Sequence, residues 1–144
     1  MNPKRLILAI VAVFVGIFVT DFLIHGLWLH QNYLDSATLW RTEDDMTKHM
    51  GWLLFGQFLI AITFTMLWAK GFAPTHNHIR CACIYGLLMA LFAQAGMSFI
   101  QYAVQPLPGV IPVKWFISGI VQGVLLGILV FLVYKPKSEQ PKTQ

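Results

Sequence analysis

"LILAIVAVFVGIFVTDFLIHGLW", residues 6–28, decides the fold. From Leu6 to Val19 it holds no charge and no hydrogen-bonding side chain. A hydrocarbon core of ~30 Å takes about 20 helical residues to cross, so this run has the length of a membrane span. Asp21 and His25 then enter the same run one helical turn apart, about 40° around the axis for i and i+4. A carboxylate and an imidazole inside a greasy segment must find partners or water.

Three further blocks of the same kind follow. Residues 6–29, 51–69, 82–104 and 115–134 are the four expected spans. The 144-residue chain is 57% hydrophobic and 11% charged, against about 25% charged for an ordinary soluble domain. Four spans leave no room for a soluble domain. The expectation is an all-α polytopic membrane four-helix bundle over 1–134, followed by a disordered tail over 135–144. "MNPKR" resembles the basic start of a signal peptide, but no small-residue cleavage pattern follows the long apolar run, so an uncleaved first span is expected.

Charge orients the bundle. Lys4, Arg5, Lys70, Arg80, Lys135, Lys137 and Lys142 fall on one side, and Arg41, Lys48 and Lys114 on the other. The acidic residues Asp35, Glu43, Asp44 and Asp45 join the smaller group. The positive-inside rule then places both termini in the cytoplasm. The basic tail is too short and scattered for nucleic acid, and attraction to anionic headgroups explains it.

The connections carry their own signals. Trp28 fits an interfacial anchor at the end of span one. In the outer loop, Ser36 or Thr38 is expected to start a short interfacial helix, and Thr42 ahead of "EDD" to cap span two. "KGFAPTHNHIR" (70–80) breaks at Gly71 and Pro74, and "QPLPGVIP" (105–112) reads as a stiff turn.

Polar residues within the spans fall at one depth. Asp21, Gln57, the series Gln94, Ser98 and Gln101, and the series Lys114, Ser118 and Gln122 converge roughly 5–15 Å below the outer surface at ~1.5 Å per residue. With His25 and His49 they form the expected polar pocket near the periplasmic face. A structural reading pairs Asp21 with His25, Arg41 or Lys114 and lets the glutamines bond between helices, at ~0.6–2 kcal/mol each. Gly119, Gly123 and Gly127, four apart, form a close-packing face on span four.

Metal and haem signals are weaker. His76, His78, Cys81 and Cys83 supply zinc-type donors, but cysteines two apart on a helix point about 200° apart and cannot share an ion. They also face a reducing compartment, which argues against a disulfide. A haem between His25 and His49 lacks a second histidine pair. No cofactor is therefore expected. "TEDDM" lacks the spacing of a calcium loop.

"DFLIHG" (21–26), "YLDSATLWR" (33–41) with Met46, "PLPGVIPVKWF" (106–116) and the glycine-rich last span carry a resemblance across most of the chain. They resemble a loose group of small four-helix bacterial membrane proteins of unknown function. The likeness implies a bacterial inner-membrane location and transfers no catalytic residue. The His- and Cys-bearing link of this chain departs from that group, which counts against zinc.

The leading functional reading is a non-enzymatic accessory or assembly subunit, or a binding protein using the outer pocket. Its expected partners are the lipid bilayer and another membrane subunit or a second copy. One alternative is a metal- or haem-dependent redox enzyme centred on Asp21, His25 and His49. Another is a small oligomeric transporter or proton pathway.

Overall fold

A computed structural model describes residues 2–73 and 78–134. Part of the 70–80 link, including Pro74 and His76, and the whole 135–144 tail lie outside these. Helices are the only regular elements among the described residues, with no strand among them. Four helices are long and apolar enough to cross a membrane: Pro3–Trp28, Glu43–Phe72, Ile79–Val104 and Val110–Val133.

The first begins as α1 (Pro3–Asp21), where Asn2 accepts a bond from the Arg5 amide and Pro3 occupies the first turn. Proline fits there because its missing N–H would be unpaired in any case. At Thr20 the helix changes. The Thr20 hydroxyl donates back to the carbonyls of Gly16 and Ile17, a bonding pattern that bends helices. The backbone then widens into a π-helical stretch over Phe22–Trp28, with the Leu29 amide reaching back five residues to Ile24.

A short α2 (His30–Asp35) and a 3₁₀ turn (Ala37–Leu39) cross the end of the bundle. Here the structure differs from the sequence-based expectation. The helix lies before Ser36 and ends at it, because the Ser36 hydroxyl turns back to the Asn32 carbonyl instead of capping a helix on its C-terminal side. Thr42 does cap the second long helix by accepting the Asp45 amide. That helix, α3 (Glu43–Leu67), starts eight residues before the expected span, with three acidic residues in its first turn. Their charge suits the positive end of the helix dipole. It closes in a second π-helical stretch, Trp68–Phe72.

The third long helix joins α4 (Ile79–Ala90) to α5 (Gly96–Val104) through a third π-helical stretch, Leu91–Ala95. The fourth, α6 (Val110–Val133), already contains Pro112 in its first turn, where no intrahelical donor is lost. The expected start near Lys114 is therefore four residues late.

The first and fourth long helices form the centre. The second packs on the first, and the third packs on the fourth. Ala9, Val13 and Ile17, four apart, are the buried stripe of α1. The second and third helices meet through Phe64, Trp68 and Phe72 stacked around Tyr85, whose hydroxyl donates to the Phe64 carbonyl. The tightest joint is between the third and fourth helices. A Cβ on Gly123 would stand 2.6 Å from the Ala90 Cβ and 2.6 Å from the Gly86 carbonyl oxygen. One on Gly127 would strike the Ala82 carbonyl, and one on Gly86 the Gly123 carbonyl. Glycine is required at this crossing because backbone lies against backbone.

Candidate functional site

Asp21 sits where α1 gives way to the wide turn, and its carboxylate points into the bundle. Gln57 of α3 donates from Nε2 to Oδ2 at 2.7 Å. Gln122 of α6 donates from Nε2 to Oδ1 at 2.6 Å and to the Thr20 hydroxyl oxygen at 2.7 Å. Three long helices are thus tied to one carboxylate. Among the described residues no ion pair reaches it, since the two ion pairs present both use Asp45. Gln57 is 7% exposed, and its Oε1 is buried without a hydrogen-bond partner.

A second knot lies nearer the end of the bundle. Tyr33 of α2 accepts the indole N–H of Trp115 at 2.8 Å and lies 2.6 Å from Nδ1 of His25. Burial pushes the Tyr33 phenol above its ordinary pKa, so it keeps its proton. The Tyr33 hydroxyl is thus shared between the Trp115 indole and the His25 imidazole. Trp40 stacks edge-on against both Tyr33 and Trp115 and donates to the Ser36 hydroxyl. Lys114 donates to the Asn32 side-chain oxygen at 2.6 Å and sits 5.2 Å above the Trp28 ring, a cation–π arrangement.

The polar residues singled out in the sequence are therefore divided. Asp21, Gln57 and Gln122 meet. His25 joins Tyr33 instead, and Lys114 joins Asn32. The partners expected for Asp21 are thereby corrected: Lys114 and Arg41 bond elsewhere, Arg41 to Asp45 at 2.6 Å. His49 turns Nδ1 to the Asp45 carbonyl of its own helix at 2.7 Å. Gln94 packs its aliphatic stem against Gly119. Ser98 and Ser118 bond back to the carbonyls of Gln94 and Trp115, and Gln101 is half-buried beyond them. The expected open pocket is instead a knitted layer. Two open grooves run along the outer side of α3, one beside Thr63 and Lys70 and one beside Lys48 and Trp52.

Thr20, Tyr33, Trp40 and Trp115 are the members that sequence reasoning missed. Thr20 stands next to Asp21 at the edge of the apolar run, which was a usable signal. The aromatic residues carry none, because tryptophan and tyrosine at span ends usually mark the membrane interface.

Among the described residues, no group of three or more His, Cys, Asp or Glu side chains could hold a metal. Asp21, His25 and His49 therefore do not converge as ligands. His78 Nε2 lies 3.3 Å from Cys81 Sγ, both cysteines are free thiols, and His76 is outside the described residues. Comparison with known proteins found no matching family model, no similar curated protein and no similar solved structure.

Proposed function

We propose that the chain is a multi-pass protein of a bacterial inner membrane, with both termini cytoplasmic. It works without enzymatic chemistry, as a binding protein or as an accessory subunit of a larger membrane assembly. The observation that carries this reading is an inverted polarity. Polar side chains of the second and fourth long helices turn inward to Asp21 of the first, while Ile7, Trp52, Phe92 and Val104 stand 65–84% exposed on the outside. In water such a surface would drive aggregation. In lipid it is the wetted face, and the inward polar groups bond between helices.

Asp21 held by two neutral amides suits recognition better than catalysis. Among the described residues no nucleophile or general base is bonded to it, and His25 is engaged by Tyr33. The resemblance to small bacterial membrane proteins points to the same compartment, and the basic residues at the termini to the orientation.

Expression with a C-terminal affinity tag tests the proposal. The protein is expected in the membrane fraction, resistant to alkaline carbonate. In mild detergent, the accessory role predicts a partner in fixed stoichiometry and the binding role a lone chain. Release by carbonate as a soluble protein would overturn the membrane reading.

A further inference from the structure

Within the membrane-spanning arrangement proposed above, on which this inference rests, the second long helix meets the bundle along one side. Gln57, Ala61, Phe64, Thr65 and Trp68 are its buried residues there. The opposite side carries Lys48, Trp52, Phe55, Leu59, Thr63 and Lys70, all exposed. The two lysines stand about 33 Å apart along the helix by its rise per residue, close to the ~30 Å of a hydrocarbon core. No Asp, Glu, Lys or Arg lies between them.

Each lysine borders a groove, and the two grooves differ. The one at the proposed cytoplasmic end has a volume of about 470 Å³ and is lined by Ile62, Thr63, Met66, Leu67, Lys70 and Gly71. It stays open at Gly71, where a Cβ would meet nothing within 4 Å. Thr63 gives its hydroxyl to the Leu59 carbonyl, so the walls suit hydrocarbon and Lys70 is the one charged lining residue.

Charge decides what covers it. The acidic residues among those described are Asp21, Asp35, Glu43, Asp44 and Asp45. None is at the Lys70 end. Asp21 reaches deepest, and it bonds Gln57, roughly 20 Å short of Lys70 along the helix. Lys4, Arg5 and Arg80 add positive charge to the proposed cytoplasmic side. An anion for Lys70 must therefore come from outside the described chain. The outer groove, beside Lys48, Gly51, Trp52 and Phe55, is the contrast. Asp44 precedes Lys48 by four residues, on the same helix face, so that lysine has an acidic neighbour already.

We infer that the Lys70 groove holds one anionic phospholipid of the cytoplasmic leaflet. Its phosphate would take the Lys70 ammonium at the membrane surface, where lysine side chains reach for headgroups. One acyl chain would lie along Ile62, Met66 and Leu67, and the space at Gly71 would admit the glycerol end.

The test uses the full chain, first checked for carbonate resistance, so that failure of the membrane reading is seen separately. The protein in mild detergent is offered equal amounts of phosphatidylglycerol and phosphatidylcholine with identical acyl chains, and native mass spectrometry counts the lipids each chain keeps. Wild type should keep one phosphatidylglycerol in preference. Lys70→Gln should weaken that preference roughly fivefold, the share of one lysine near an anionic surface. Lys48→Gln should keep it. Gly71→Phe, which fills the groove, should retain neither lipid; should it fail to fold, Lys70→Gln decides alone. Millimolar inorganic phosphate should leave the lipid count unchanged, and displacement by it would assign the site to a free anion and overturn the lipid. Equal retention of the two lipids, a preference unchanged in Lys70→Gln or in folded Gly71→Phe, or chains that pair through this face and carry no lipid would also overturn the proposal.

Discussion

Gln122 bonds both Asp21 and Thr20 through one amide nitrogen, so it closes the joint between the first and fourth long helices. Gln122→Leu is expected to destabilise the protein by about 1–3 kcal/mol, because it leaves a part-buried Asp21 oxygen without its donor. Tyr33→Phe acts in the same way at the other knot, stranding the Trp115 N–H and the His25 nitrogen together. Its cost should also be about 1–3 kcal/mol. Unfolding titrations in mixed micelles measure both losses, and a change within a few tenths of a kcal/mol would place these bonds outside the folded state. Asp21 was legible in the sequence as the residue needing partners, and Gln57 and Gln122 as being at its depth. Which of them it would meet was not. The i, i+4 arithmetic that put His25 on the Asp21 face assumes an α-helix, and the wide turn begins at Phe22. Direction around the axis is lost there, and His25 goes to Tyr33.

Among the elements, the fourth long helix is held at closest range. Gly123→Val would drive a branched side chain into Ala90 and the Gly86 carbonyl. Overpacking of this kind costs typically 1–3 kcal/mol, with backbone shifts. Gly56→Ala meets nothing within 4 Å and should be neutral or slightly stabilising, because alanine is the better helix former by ~1 kcal/mol in exposed positions. Equal effects from the two variants would contradict the packing described. The glycine spacing announced this face in advance, since small residues every four have one strong physical use in a helix bundle. Gly86, its counterpart on α4, stood alone in the sequence and carried no such signal. Helix ends were read less well. Charged Glu43–Asp45 and the Pro112 turn lie outside the apolar blocks but inside the helices, because hydropathy locates where lipid would lie and not where hydrogen bonding stops.

At the scale of the whole molecule, the four candidate spans would, in the proposed membrane arrangement, return the chain to its starting side. Cys81, near the start of the third long helix, should then be shielded from a membrane-impermeant maleimide in spheroplasts and react once the vesicles are opened. A cysteine placed at Thr38, in a variant lacking the native thiols, should label from outside without opening. The reverse pattern would invert the orientation. All-helical class and four candidate spans were legible from composition and block length alone. The order of neighbours was not, because every long helix offers apolar residues all round. The second helix lies against the first and away from much of the third, an arrangement fixed by where Gln57, Trp68 and the glycine faces find complements.

Asp21 joins helices across the bundle interior, and a double-mutant cycle between Asp21→Ala and Gln122→Ala measures that joint directly. Unfolding free energies in mixed micelles should show a coupling of about 0.6–1.7 kcal/mol, the range of interhelical hydrogen bonds in membrane proteins. Strictly additive losses would mean that the two side chains do not touch.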